Sequence, residues 1–111
     1  MNREDVIREI TQRLVDFYRP ERIYLFGSAA RGDWGPDSDL DFCVVVADDA
    51  SEELLRTGAI YNRLRGVGLP KDIVPWRRSD FDSRARFVTA SLPATIAREG
   101  ILLYDARPVA A

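Results

Sequence analysis

Residues 27–41 read GSAARGDWGPDSDLD, a turn of small residues with one arginine, followed by two aspartates that flank a leucine. The stretch follows RIYLF at 22–26, which is rich in strand-forming residues, and it runs into a second strand predicted over 39–47. If the turn and the aspartates form one site, the end of the first strand and the start of the second lie at one edge of a sheet. The two strands are therefore expected to run antiparallel.

The second strand combines an acidic start with an apolar remainder. Because side chains alternate along a strand, Asp39 and Asp41 leave the same face with Cα atoms about 6.6–6.8 Å apart. Both faces are apolar beyond Asp41, which predicts a central strand covered on both sides. Two neighbouring carboxylates resist ionisation unless a cation lies between them. Hard oxygen ligands favour Mg²⁺ or Mn²⁺, and Mg²⁺ commonly also binds substrate phosphates, so the pattern indicates a nucleoside triphosphate.

The small-residue turn offers groups that can bind phosphate. Gly27 allows a close approach of the backbone, and the N–H groups that follow it can form an anion-binding nest or a helix N-terminus. Ser28 adds a hydroxyl, which binds phosphate or caps the short helix. Arg31 either offers its planar donors to a phosphate or braces the turn against Asp33 or Asp37.

A third acidic residue, Asp72, lies near the start of a strand predicted over 69–76. A helix predicted over 50–65 is long enough to be a crossover that returns the chain to the same edge, where Asp72 joins Asp39 and Asp41. Three carboxylates fit a two-metal site, with ions about 3.5–4 Å apart that hold the attacking and leaving oxygens. This predicts phosphoryl or nucleotidyl transfer, with Asp72 accepting the proton of the acceptor hydroxyl. The alternative is that Asp72 forms a surface ion pair with the preceding lysine.

The remaining segments predict one α+β domain over 1–111, with a mixed sheet of about four strands flanked by helices. A first helix is predicted over 4–18. The 50–65 helix has Asp49 as its predicted N-cap, and its core face is Leu54, Leu55, Ile60, Tyr61 and Leu64. Further along the chain, we predict a helix from Ser79 to about Ala90, a helix that is led by Pro93 and ends at Gly100, and a strand over 101–104.

Two pairs of side chains have both a binding and a structural interpretation. Arg77 and Arg78 follow the third strand, and they contact a triphosphate or an acidic partner, or lie in a solvated loop. Trp34 and Trp76 stack on a base or pack against the core. Cys43, on the face of the aspartates, is predicted to be a small core residue.

Composition excludes several classes of function. The chain of 111 residues has one cysteine and no histidine, which excludes disulfide frameworks, histidine acid–base catalysis and most zinc sites. Its formal charge of −2 gives no general attraction to nucleic acid or to anionic membranes. The N-terminus is too charged for a signal peptide, and no apolar run approaches the roughly 20 residues that span a bilayer. These features predict a soluble cytoplasmic protein.

The motifs GSAARG at 27–32, SDLD at 38–41 and KDIV at 71–74 resemble those of the minimal nucleotidyltransferase (MNT) group of the DNA polymerase beta superfamily. REGILLYD at 98–105 is also similar to this group, so the resemblance covers nearly the whole chain. The resemblance implies the nucleotidyltransferase fold and an ATP- and Mg²⁺-dependent enzyme. It also implies that Gly27 and Ser28 bind the triphosphate, that Asp39 and Asp41 bind the two metals, and that Asp72 is the third carboxylate.

The resemblance also implies a biological role. Small MNT proteins are often encoded beside a HEPN-domain ribonuclease, and as antitoxins they transfer AMP from ATP to a tyrosine of that toxin. Larger relatives carry a helical domain that binds the acceptor, for which this chain has no room, so a protein partner is expected to present the hydroxyl. Two alternatives stay open, a catalytically vestigial module that neutralises a HEPN partner by binding, and a nucleotidyltransferase that acts on a small-molecule hydroxyl.

Overall fold

The structure is a computed structural model that describes residues 2–32, 35, 39–56 and 58–107. In chain order its elements are α1 (Arg3–Tyr18), β1 (Arg22–Phe26), α2 (Ser28–Arg31), β2 (Leu40–Val46), α3 (Glu52–Arg56), α4 (Ala59–Arg63), β3 (Lys71–Arg77), α5 (Arg78–Phe87), α6 (Leu92–Glu99) and β4 (Ile101–Asp105). The strands form one sheet in the order β3-β2-β1-β4. β1 is antiparallel to β2 and β4, and β2 is parallel to β3. The predicted α+β class, with a mixed four-stranded sheet flanked by helices, is confirmed.

Strand β2 has an apolar core on each of its faces. Leu40, Phe42, Val44 and Val46 pack into a cluster with α1 and α4. Cys43 and Val45 pack on the other face against Phe81 of α5 and Ile96 of α6. The alternation predicted for this strand, its central position and the core location of Cys43 are therefore confirmed, and burial raises the pKa of the Cys43 thiol to about 12.

Helix α1 follows the predicted amphipathic pattern. Its N-cap is Asn2, whose side-chain oxygen accepts a hydrogen bond from the Asp5 N–H at 2.8 Å. One stripe of the helix, Val6, Ile10, Leu14 and Tyr18, is buried against the sheet. The helix ends at Arg19, which adopts a left-handed conformation with φ of 47° just before Pro20. The sequence predicts that Pro20 ends the helical pattern, and in the structure the left-handed C-cap lies one residue before this proline.

The predicted helix over 50–65 is wrong as a single element. The crossover contains two short helices, α3 and α4, with Gly58 between them, because glycine carries a high entropic cost inside a helix. Asp49 is not the cap, since the Ser51 hydroxyl accepts the Leu54 N–H at 3.2 Å. The crossover still returns the chain so that β3 runs parallel to β2, as predicted. β3 is an edge strand, which agrees with the position expected from Pro75.

Helix α5 is capped from a distant loop rather than by Ser79. The helix begins at Arg78 and ends at Phe87, and Asp48 at the end of β2 accepts the Ser79 N–H at 2.8 Å. The Ser79 hydroxyl also donates to the Asp48 carboxylate. These two hydrogen bonds lower the pKa of Asp48 below its usual value. The loop after β2 is thereby tied to the start of α5.

Asp48→Ala is expected to lower the melting temperature by a few degrees, because α5 loses its N-terminal acceptor. A carboxyl group with a lowered native pKa stabilises the folded protein above its unfolded pKa, and this contribution is lost as the pH falls through the native value. The deficit of Asp48→Ala should therefore be full at neutral pH and shrink in acid, measured by thermal denaturation across pH. Asp49→Ala, in the same exposed loop, is the control and should leave the melting temperature unchanged.

In the part of the chain that the structure describes, no helix combines the length and apolarity needed to cross a membrane.

Candidate active site

Three chain segments meet at one edge of the sheet. Phe26 at the end of β1 pairs with Asp41 at the start of β2, and Asp41 pairs with Asp72 at the start of β3. Laterally paired residues project to the same face, so Asp41 and Asp72 lie side by side with Cα atoms about 4.8 Å apart. Asp39 lies two residues before Asp41, just ahead of the first residue of β2, and its charge acts on Asp41. The structure therefore pairs Asp41 with Asp72 through the backbone and places Asp39 near enough for its charge to act on Asp41.

Asp41 is the least exposed of these carboxylates. Its side chain is partly buried, whereas Asp39 and Asp72 are exposed. Burial raises the pKa of Asp41, and the charges of Asp72 and Asp39 raise it further, while the nearby Arg31 lowers it. The net direction of the pKa shift is upward, so ionisation of Asp41 is less favourable in the folded protein than in the unfolded chain. A bound cation would remove this penalty.

Gly27 lies directly against Asp41. Its backbone, with φ of 75° and ψ of −153°, occupies a region that is essentially restricted to glycine. A Cβ atom built at Gly27 would overlap with Asp41 Oδ2 and would lie 3.3 Å from Asp41 Cγ. The glycine therefore does two things that no other residue could do here. It turns the chain from β1 into α2, and it leaves space for the Asp41 carboxylate.

Helix α2 forms the small-residue turn predicted from the sequence. The N–H groups of Ala30 and Arg31 bond to the Gly27 carbonyl, at 3.1 and 3.2 Å, so the helix begins immediately after Gly27. Ala29 is buried, and its carbonyl accepts a hydrogen bond from the Arg3 guanidinium of α1 at 3.0 Å. This contact fastens the turn to α1. Ser28 remains partly exposed and Arg31 exposed. The alternative partners suggested for Arg31, at positions 33 and 37, lie outside the described residues.

The oxygen donors at this edge fit a hard divalent cation. Aspartate carboxylates are ligands of the kind that Mg²⁺ and Mn²⁺ prefer, and burial together with the neighbouring charges of Asp72 and Asp39 raises the pKa of Asp41. Within residues 2–32, 35, 39–56 and 58–107, however, no three acidic, cysteine or histidine side chains are gathered closely enough to hold a metal. A three-ligand group therefore requires side-chain rotation from the conformation in the structure, whereas the backbone pairing of Asp41 with Asp72 is already in place.

Tyr61 contacts this edge and was missed by the sequence reasoning, which placed it on the core face of its helix. The side chain is 44% exposed. Its hydroxyl accepts the Ile73 N–H at 3.2 Å and donates to Asp72 Oδ1 at 3.4 Å. Helical spacing alone could not reveal this contact, because it depends on the side chain reaching the edge of a strand that follows later in the chain.

Arg77, Arg78 and Trp76 lie away from the carboxylates. Arg77 pairs with Val46 at the far end of β3, about 16 Å along the strand from Asp72. Its guanidinium donates to backbone carbonyls of the β2–α3 loop, and Arg78 binds Glu21 and Asp48. Of the interpretations offered by the sequence, these contacts favour a structural role in the loop, because the carboxylates lie where β3 begins and the two arginines lie where it ends. Trp76 packs against the core cluster that contains Cys43 and Phe81, and Trp34 lies outside the described residues.

The carboxylate edge is separate from the large cavity of the molecule. A cavity of about 680 Å³ lies between α1 and β4, with apolar side chains such as Ile7 and Leu103 and polar ones such as Arg8 and Gln12 in its lining. None of the three carboxylates lines it. The candidate site is thus an open sheet edge beside the Gly27 turn.

The family model for the nucleotidyltransferase domain matches residues 6–95 of this sequence. The chain belongs to the nucleotidyltransferase domain family. The matched region includes α1, the turn after β1, the carboxylates and β3, and it reaches into α6. Membership in this family makes the protein a transferase, and the carboxylate edge is its candidate active site.

Three known proteins resemble this nucleotidyltransferase. A protein of Methanocaldococcus jannaschii, provisionally named a protein adenylyltransferase, is 37% identical over 73 residues, which cover 58% of this chain and 73% of the relative. A crystal structure of a provisionally named nucleotidyltransferase from Sulfolobus solfataricus has a TM-score of 0.60 and 20% identity, over 92% of this chain and 79% of that one. A chain in a toxin–antitoxin crystal structure with AMP-PNP has a TM-score of 0.61 and 23% identity, over 96% and 76%. The two structures show that the fold is shared.

Proposed function

We propose that this nucleotidyltransferase transfers AMP from ATP to a hydroxyl group of a partner protein. The observation that carries the proposal is the pairing of Asp41 with Asp72 on adjacent strands, directly beside the Gly27 turn. The likeness to a protein provisionally named a protein adenylyltransferase supports a protein acceptor. The neighbour in a toxin–antitoxin structure with AMP-PNP supports an adenine nucleotide and a partner chain.

In this proposal the turn and the carboxylates have separate tasks. The backbone at Gly27 and Ser28, with the Ser28 hydroxyl and Arg31, binds the triphosphate. Asp39 and Asp41 would hold two Mg²⁺ ions, or Mn²⁺ in their place, and Asp72 would contribute to one of them. When bound, the ions would neutralise negative charge on the phosphates. Asp41 would contribute most to binding the ions, because its partly buried carboxylate lies directly against Gly27 of the turn.

The reaction is an in-line displacement at the α-phosphorus of ATP. The acceptor oxygen forms a bond to that phosphorus, the bond to the bridging α–β oxygen breaks, and pyrophosphate leaves with the electron pair. Asp72 accepts the proton of the acceptor hydroxyl. Its location on the outermost strand of the sheet leaves it accessible from outside, which suits an acceptor that arrives on another protein.

The acceptor is proposed to be a tyrosine of a HEPN-domain toxin, with this chain acting as its antitoxin. The open carboxylate edge supports a protein acceptor, since the cavity between α1 and β4 does not include the carboxylates. The MNT-like motifs support the HEPN class. A partner that docks over the edge would exclude water and place its tyrosine next to Asp72.

The test is intact mass spectrometry of the purified partner after incubation with this protein, ATP and Mg²⁺. The partner encoded beside the gene is expected to gain the mass of AMP with the wild type and not with Asp39→Ala/Asp41→Ala. Asp49→Ala, a matched exposed carboxylate in the β2–α3 loop, should transfer normally. Unchanged mass together with blocked toxin activity would contradict transfer and favour neutralisation by binding. Transfer by the isolated chain to a small hydroxyl compound would favour a small-molecule acceptor.

A further inference from the structure

We infer that Tyr61 is a positioning residue for the Asp72 carboxylate, an inference that rests on the proposed role of Asp72 as the proton acceptor. Tyr61 lies on α4, in the crossover between β2 and β3. Its hydroxyl lies 3.2 Å from the Ile73 nitrogen and 3.4 Å from Asp72 Oδ1. The residue therefore contacts both the backbone and the side chain of the segment that holds the proposed base.

The direction of the Tyr61 proton follows from its two contacts. A backbone N–H can only donate, so the hydroxyl oxygen is the acceptor for Ile73. The hydroxyl has a single proton, which is then available for Asp72 Oδ1. β3 is the outermost strand next to β2, and Tyr61 covers the open side of this strand. The backbone of β3 thus holds the hydroxyl in place, and the hydroxyl in turn holds one oxygen of the carboxylate.

The hydrogen bond from Tyr61 to Asp72 opposes the repulsion between Asp72 and Asp41 of the neighbouring strand. Asp41 and Asp72 are register partners with like charge, and the exposed Asp72 side chain can rotate away from Asp41. A hydrogen bond from Tyr61 to Oδ1 restrains that rotation and orients Oδ2 toward the acceptor proton, while the other lone pairs of the carboxylate stay available to a metal ion. A reacting group that is already oriented lowers the entropic part of the barrier. The 3.4 Å distance is long for a hydroxyl donor, so the expected contribution is moderate.

The kinetic test is a double-mutant cycle of Tyr61→Phe and Asp72→Asn, with AMP transfer measured as kcat and KM for ATP. Tyr61→Phe should lower kcat about tenfold, the order expected for one hydrogen bond to a charged group, with little change in KM. In the Asp72→Asn background the same substitution should have no further effect. Tyr104→Phe removes a hydroxyl for which the described residues provide no hydrogen bond, and it should behave as wild type.

A second readout separates this inference from the proposed function. Mn²⁺ affinity, measured by titration calorimetry, should fall severalfold in Tyr61→Phe and should not fall further when Asp72→Asn is already present. Exchange of the Ile73 amide proton should also become faster in Tyr61→Phe. If the wild type transfers no AMP but this coupling of Tyr61 to Asp72 appears, the proposed function fails and the positioning role stands. Equal losses in both Asp72 backgrounds, or no loss in either assay, would overturn the positioning role.

Discussion

Asp41→Asn is expected to abolish AMP transfer and at the same time to make the protein more stable at neutral pH. Activity should fall about a thousandfold or more, because the stabilisation of charge by bound metal is worth several kcal/mol and each 1.4 kcal/mol is a factor of ten. Stability should rise because the ionised Asp41 carboxylate is partly buried beside Asp39 and Asp72, whose repulsion the charge of Arg31 opposes. The neutral amide has nearly the same shape and removes that cost.

The pH dependence of this gain has a definite sign. The native pKa of Asp41 lies above the ordinary value of 3.8, so the folded protein binds its proton more tightly than the unfolded chain does. Below pH 3.8 both states are protonated and the penalty is absent. It grows as the pH rises from that value through the native pKa, and it is then full. The advantage of Asp41→Asn in melting temperature should therefore appear above mildly acidic pH and reach a few degrees at pH 7.

Two controls make this stability experiment specific. Asp49→Asn removes an exposed carboxylate from the β2–α3 loop and should leave the melting temperature unchanged. Added Mg²⁺ should stabilise the wild type more than Asp41→Asn, since only the wild type retains the carboxylate that the ion neutralises. A lower melting temperature for Asp41→Asn at pH 7 would show that the carboxylate is stabilised in the apo protein by contacts other than a cation.

The strands and the edge where they meet could be predicted from the sequence for a physical reason. Alternation is a property of the strand itself, so the positions of Asp39, Asp41 and Cys43 on one face follow from their parity. The bounds of β1 follow from a short run of strand formers between a proline and a glycine. Asp72 could be added because a crossover from β2 must bring the next parallel strand to the same edge.

The features that could not be predicted are those set by tertiary contacts. Asp48 caps α5 from 31 residues away, and no local pattern at Ser79 could reveal that acceptor. Tyr61 has the spacing of a core residue, yet its hydroxyl reaches β3 because the crossover is divided at Gly58 and packs against an open strand edge. The partners of Arg77 and Arg78 were likewise out of reach of the sequence, since they lie in the β2–α3 loop and at Glu21, far away along the chain.

Gly27→Ala is expected to damage both the stability of the protein and its active site. Alanine at φ of 75° and ψ of −153° is strained by about 1–3 kcal/mol. The new Cβ would also overlap with Asp41 Oδ2, so either the turn must move away from the carboxylate or the carboxylate must rotate. Both movements separate the proposed phosphate-binding turn from the proposed metal ligand. Transfer should fall at least about a hundredfold, since small displacements of catalytic groups have effects of that size.

Gly66→Ala is the matched control for this substitution. Gly66 also has a positive φ, of 85°, but a Cβ atom there would meet nothing within 4 Å. Backbone strain should therefore lower the melting temperature of Gly66→Ala while transfer, measured below that temperature, stays close to wild type. The contrast isolates the overlap with Asp41 from the strain common to both glycines. If Gly27→Ala keeps normal transfer, or if Gly66→Ala loses as much of it, the close contact between Gly27 and Asp41 is not what the reaction requires.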